Sequence, residues 1–174
     1  MKKGLTSTLL LGISLFAADY SSVIESPNAS KIIEKDLLAP AKVFTMPDGC
    51  ITTDPKAIAR GKYIFHNLNG EDSKGPLPEG LSQVDEKGKP KQYGNCVACH
   101  NIEEAKGAGN IGPDLTKYHE NMMATKVRDN QFVYQKISDA RIDNPTTHMT
   151  INQTTGLFTP REICDIASYI VSPK

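Results

Sequence analysis

Apolar positions along the chain fall into three short helical patterns separated by long polar stretches. Asp54-Pro55 opens the first, with Asp54 as N-cap and Pro55 at the first helical position. Ile58, Gly61 and Phe65 then share one face, and His66 closes the pattern as an expected surface residue. The second helix is predicted from about Asp129 to Ala140, where Phe132, Val133 and Ile137 are apolar. The third starts at Thr159-Pro160-Arg161-Glu162, a T-x-x-E capping box with Pro at the first helical position. Ile163, Ile166, Ala167 and Ile170 follow at i, i+3, i+4 and i+7. Gly61 inside a helix costs about 1 kcal/mol against Ala. Close approach of the last helix would explain it, with Tyr169 as the expected neighbour, so the first and last helices are expected to cross.

Two stretches lack such periodicity. Residues 67–94 carry turn signals at Asn69-Gly70, Lys74-Gly75-Pro76 and Lys87-Gly88-Lys89-Pro90 and predict one long surface loop. Residues 19–53 predict an extended arm, because Pro40 and Pro47 interrupt anything longer than a short apolar turn at 31–38. Before it, Met1-Lys2-Lys3 is basic and Leu9, Leu10, Leu11, Ile13, Leu15 and Phe16 are apolar, with Ala17-Ala18 following. This is the pattern of a secretory signal peptide over residues 1–18. The apolar run is too short to span a membrane. An uncleaved amphipathic anchor is the alternative, which the small residues after Phe16 disfavour. Leu15 or Phe16 stands where cleavage prefers a small residue, and no Cys follows that would carry a lipid. The expected compartment is the periplasm, and residues 54–174 are the expected folded domain.

Composition adds three constraints. With 174 residues and 39% hydrophobic content the chain suits one small domain. Lys+Arg and Asp+Glu both number 20, and removing Lys2 and Lys3 leaves 18 basic against 20 acidic. That balance offers no case for a nucleic acid or an anionic membrane as partner. Only 6% of residues are aromatic, so a bound apolar group would supply core that the side chains do not.

The candidate chemistry lies at Cys96-Val97-Ala98-Cys99-His100, which reads C-x-x-C-H, the attachment signature of a c-type haem. This spacing puts two thiols on one side of a turn, where each adds across one vinyl group of the same porphyrin. The imidazole that follows swings under the iron as proximal ligand. A redox C-x-x-C would sit in a βαβ pattern, which does not surround this one. A structural zinc site wants a second Cys or His pair nearby, and Cys50 and Cys164 are single and distant. The cofactor expected is one covalent haem c.

Downstream, Gly107-Ala108-Gly109-Asn110-Ile111-Gly112-Pro113-Asp114-Leu115 offers a tight path around the proximal side. A carbonyl near Pro113 is placed to accept from the second nitrogen of His100, and Leu115 to pack on the ring. For the opposite axial position the candidates are Met46, His66, His119, Met122, Met123, His148 and Met149. Met149 is favoured, because a loop-borne thioether is the usual partner of His in electron-transfer haems. His148 is the rival. Once the haem thiols are used, Cys50 and Cys164 remain in an oxidising compartment. If the first and last helices cross, their Cα atoms fall within disulfide range. Two unpaired thiols, or one used between chains, is the alternative.

The blocks Gly94–His100, Gly109–Leu115, Ile137-Ser138-Asp139-Ala140-Arg141 through Asn144-Pro145-Thr146-Thr147-His148-Met149, and Leu157–Ile163 resemble the SoxX family. SoxX is the monohaem subunit of the SoxAX cytochrome of thiosulfate oxidation. C-x-x-C-H and G-P-x-L are shared by most small cytochromes c; the Asp-Ala-Arg…Asn-Pro-x-Thr-x-Met block is the specific part. The resemblance implies an all-α, class I cytochrome c-like domain around one covalent haem, with His100 and Met149 as axial ligands. It implies a periplasmic heterodimer with a SoxA-type subunit, which joins thiosulfate to the sulfur carrier SoxYZ. The present chain would pass electrons to a small cytochrome and hold no sulfur nucleophile of its own. The family usually has Pro after the distal Met; here it is Thr150, which keeps His148 in play. The other functions weighed are a free, diffusible carrier cytochrome c and a haem-based sensor of small ligands.

Overall fold

The computed structural model describes residues 39–73 and 75–174. The expected signal peptide at 1–18, the apolar turn at 31–38 and the first part of the arm lie outside the described residues. Among the described residues three α-helices carry the fold, α1 (Pro55–His66), α2 (Asn130–Ser138) and α3 (Pro160–Val171). A 3₁₀ turn at Cys96–Ala98, a π turn at His119–Met123 and a second 3₁₀ turn at Ala140–Ile142 link them. Among the described residues there is no strand, only two isolated antiparallel bridges. Nor is any helix there long and apolar enough to cross a membrane.

Local sequence sets each helix start. Asp54 accepts from the Lys56 N–H at 3.1 Å, ahead of Pro55. Asp129 accepts from the Phe132 N–H at 2.7 Å. Thr159 and Glu162 make both bonds of the capping box, at 3.3 and 2.9 Å.

The helices then bury their apolar faces together. Ile64, Phe65, Tyr134, Ile163 and Ile166 are all at most 1% exposed. α1 and α3 meet backbone to backbone. A Cβ at Gly61 would lie 1.9 Å from the Asp165 carbonyl oxygen and 2.9 Å from the Ile166 nitrogen. The neighbour of Gly61 is thus the backbone at Asp165, not Tyr169. Tyr169 lies a turn further along and packs on Phe65 and His66, ring centroids 5.7 and 5.8 Å away.

α3 is buried on every side from Glu162 to Val171, although its sequence shows one apolar stripe. Its polar residues are therefore paired. Asp165 accepts two bonds from the Arg60 guanidinium, at 2.7 and 2.8 Å. Glu162 pairs with Lys91, and the Ser168 hydroxyl accepts from the Thr52 N–H at 3.1 Å. Paired this way, buried charge is tolerated; unpaired it is not.

Residues 39–53 belong to the same compact unit as the helices. The boundary expected at 54 marks the start of α1 and not of that unit. Two glutamines one turn apart on α2 explain why. Gln135 accepts from the Phe44 N–H at 2.7 Å and donates to the Lys42 carbonyl at 3.1 Å. Gln131 accepts from the Met46 N–H at 2.8 Å and donates to the Phe44 carbonyl at 2.9 Å. The strap then reaches Cys50, which is joined to Cys164 of α3 by a disulfide across 114 residues of sequence. For a loop this long the chain-entropy account gives an upper figure of about 4–5 kcal/mol.

The excursion at 67–94 is built rather than loose. The Gly70 N–H donates to Lys91 and the Tyr93 N–H to Leu68, at 2.9 and 2.8 Å. Tyr93 is buried edge-on against Tyr63, and its hydroxyl donates to the Ser82 carbonyl at 2.6 Å.

Gly61→Ala is expected to destabilise the protein by at least the ~1–3 kcal/mol of ordinary overpacking, since backbone cannot swing aside as a side chain can. Thermal unfolding of the haem-loaded protein measures this. A midpoint within about a degree of the parent would contradict the close crossing.

Candidate functional site

The C-x-x-C-H turn hangs from the end of α1. The Gly94 N–H donates to the Ile64 carbonyl at 3.0 Å and the Asn95 N–H to the Asn67 carbonyl at 2.9 Å. Asn95 enters the turn in the left-handed region, φ 42°. The N–H groups of Cys99 and His100 both donate to the Cys96 carbonyl, at 3.1 and 2.9 Å. A single tight 3₁₀ turn, rather than a longer helix, thus presents the two thiols and the imidazole.

Cys96 and Cys99 are the two free cysteines. Cys96 packs against the hydrophobic core, and burial pushes its thiol up to about 12. An attacking thiol in a redox C-x-x-C has the opposite shift. Cys50 and Cys164, bonded to each other, do not provide the second pair that a zinc site would need.

The stretch after His100 folds back on the motif. The Gly109 N–H donates to Val97 and the Gly112 N–H to Cys99, both at 2.9 Å, and the Leu115 N–H to Asn101 at 2.8 Å. His100 Nδ1 lies 2.8 Å from the Pro113 carbonyl oxygen. The carbonyl only accepts, so Nδ1 carries the proton and Nε2 keeps its lone pair for a metal. Gly112 lies under the ring; a Cβ there would sit 2.4 Å from Cε1. The Asp114 carboxylate clips this wrap, accepting from Thr116 at 2.8 and 2.7 Å and from Asn101 at 3.1 Å. These bonds, the Thr116 N–H first, hold its pKa below the usual carboxylate range. Leu115 is half-buried against the core, and Pro113 is exposed.

The other sequence candidates separate by environment. Met149 is half-buried and, with Ile151 and Leu157, lines an open, mainly apolar concavity of about 590 Å³. His148 beside it is exposed. His66 is tied to the Tyr169 hydroxyl at 2.8 Å, and burial lowers its pKa. His119 Nδ1 donates to the Val171 carbonyl at 2.9 Å. Met46 and Met123 pack against the core.

Two unbonded thiols, an imidazole with its tautomer fixed and a glycine floor under that ring are a donor set that fits haem c. Cys96 and Cys99 would hold it covalently and His100 would ligate its iron. The sequence profile of the cytochrome c family matches residues 58–174. The chain belongs to the cytochrome c family. A protein of Aquifex aeolicus (strain VF5) described as an uncharacterized lipoprotein is 36% identical over 89 residues. That match covers 51% of this chain and 40% of the relative, so the chain spans well under two thirds of the relative's length. Membership implies, for the matched domain at 58–174, haem-based electron transfer with a covalently bound haem c.

A haem held by Cys96, Cys99 and His100 would supply a one-electron iron couple. The Pro113 carbonyl, by accepting from Nδ1, makes Nε2 a stronger donor, which would favour the oxidised form of a metal bound there. Sequence reading did not find Asn101, Asp114 and Thr116, which hold that carbonyl in place; the only signal was Asp after Pro, a turn residue.

Gly112→Ala would force a Cβ into the imidazole. The expected outcome is a lower haem-to-protein ratio and a shifted Soret band in protein made with haem-attachment machinery. A full haem complement with an unchanged spectrum would contradict the packing of His100 on residue 112.

Proposed function

We propose that this cytochrome is the monohaem electron-transfer subunit of a SoxAX-type thiosulfate-oxidising complex. The observation that carries the reading is the Asp139-Ala140-Arg141…Met149 block, the specific part of the SoxX resemblance. It opens the loop that bears Met149 on the concavity wall. In this reading the domain is of class I type and carries one haem, with His100 and Met149 as axial ligands. The half-buried thioether beside an exposed His148 supports Met149 over its neighbour. A thioether ligand raises the potential and keeps the sixth position closed, which suits electron transfer and not gas sensing.

The chain does no sulfur chemistry in this reading. Cys50 and Cys164 are bonded to each other, and Cys96 and Cys99 are taken by the haem. Thiosulfate is handled by a SoxA-type partner and a SoxYZ-type carrier, and electrons leave to a small cytochrome. Residues 1–18 act as a signal peptide for export to the periplasm, where haem attachment and the disulfide both form. A free, diffusible carrier is the second reading, supported by the balanced charge and the match to the cytochrome c family at large.

The purified cytochrome alone is expected to show no thiosulfate-oxidising activity. Mixed with the SoxA-type protein of the same organism it should form a stable heterodimer, and activity with the sulfur carrier should then appear. Met149→Ala should keep the heterodimer but abolish the far-red thioether band and impair electron transfer. Thiosulfate-dependent haem reduction by the isolated chain, or no binding to any SoxA-type protein, would leave the diffusible carrier as the better reading. Loss of the band in His148→Ala but not in Met149→Ala would reverse the ligand assignment.

A further inference from the structure

Asp139 is fully buried, at 0% exposure, although it stands where α2 ends and an exposed loop begins. Five donors meet its carboxylate. Oδ1 accepts from the Arg141 N–H at 3.1 Å and from Arg141 Nε at 2.9 Å. Oδ2 accepts from Arg141 Nη2 at 2.7 Å, from the Thr154 hydroxyl at 3.1 Å and from the Lys42 N–H at 3.4 Å. Arg141 Nη1 donates onward to the Ala39 carbonyl at 2.9 Å. These partners come from the start of the loop, its far end and the strap. A buried carboxylate is costly unless so satisfied.

The rest of the neck agrees. The N–H groups of Asn152 and Gln153 both donate to the Ser138 carbonyl, at 3.1 and 3.0 Å. The Asn152 side chain donates to the Ile137 carbonyl at 2.7 Å, and the Tyr134 hydroxyl reaches Gln153 at 3.2 Å. The chain between 141 and 152 is thereby closed into a pinned loop, and Met149 lies within it. A side chain presented from a pinned loop loses less freedom on binding than one on a free loop.

We propose that Asp139 is a positioning residue for Met149, clamping both ends of the loop and so setting how firmly the thioether holds the sixth position. This rests on Met149 being the distal ligand. The clamp is electrostatically durable. Hydrogen bonds from Arg141 first, with Thr154 and Lys42, hold the Asp139 carboxyl at about 2. Its contribution is therefore present above the ordinary carboxylate range and is lost only as pH falls from about 4 toward 2.

The test is cyanide binding to the oxidised, haem-loaded protein, where entry waits for the thioether to leave. Thr154→Val removes one bond to the carboxylate and is expected to speed cyanide entry about threefold or more. Asp139→Asn removes the charge and is expected to speed it about tenfold or more and to weaken the far-red band. Ile163→Val, a core change on α3 outside the neck, lowers thermal stability and is expected to leave the rate unchanged. Equal acceleration by Ile163→Val at equal loss of stability would overturn the proposal, as would parental rates in Thr154→Val. If Asp139→Asn does not fold, Thr154→Val against Ile163→Val still decides. Met149→Ala separates the two claims. A band that survives it removes the ligand reading and the proposal together. A band that it abolishes, with parental cyanide rates in both neck variants, removes the proposal alone.

Discussion

The site depends on one steric fact, the contact of α1 with the backbone of α3 at Gly61. With no side chain at 61, the Asp165 carbonyl comes in where a Cβ would be 1.9 Å away. That approach brings Arg60 onto Asp165 and buries both charges. It places α3 so that Cys164 meets Cys50 and Tyr169 meets His66. It also fixes the carboxyl end of α1, from which the Ile64 and Asn67 carbonyls hold the start of the C-x-x-C-H turn. The position of the two thiols is thus inherited from a helix crossing that none of the haem-binding residues makes.

Two wraps of chain, the one after His100 and the one that bears Met149, differ in kind. The wrap after His100 is short and made of backbone: residues 109–115 bond back onto 97–101, and the Pro113 carbonyl accepts a hydrogen bond from His100 Nδ1. The loop that bears Met149 is longer, and its neck is held through Asp139, Ser138 and Ile137. His100 is held by backbone packed directly against it, while the neck of the Met149 loop is held by bonds to one buried carboxylate and two backbone carbonyls. The strap at 39–46 joins this arrangement through Lys42 and Ala39.

Sequence reading goes as far as local chemistry goes. The three helix starts are legible because Asp54, Asp129 and Thr159 act on their own N–H groups within three residues. The C-x-x-C-H motif is legible because its spacing is itself the chemistry. What is not legible is long-range. Gln131 and Gln135 look like surface polar residues, yet they carry the strap from across some 90 positions of sequence. Glu162, Asp165 and Ser168 look like the solvated face of an amphipathic helix, and each is buried against a partner from another segment. The turn signals of 67–94 are read correctly as turns, but nothing local says that Tyr93 is buried or that Lys91 reaches Glu162. The expected Gly61–Tyr169 contact misses by a turn because the periodicity of α3 sets which face it shows but not its translation along α1.

The central claim is that C-x-x-C-H in this fold holds one haem by two thioether bonds. The most direct measurement is the intact mass of the mature protein from a periplasm with haem-attachment machinery, read with its alkaline pyridine spectrum. The account predicts the polypeptide plus one haem, no free thiol on alkylation of the native protein, and the spectrum of a haem attached through both vinyl positions. A colourless chain at its unmodified mass, a single thioether, or two alkylatable thiols at Cys96 and Cys99 would contradict it.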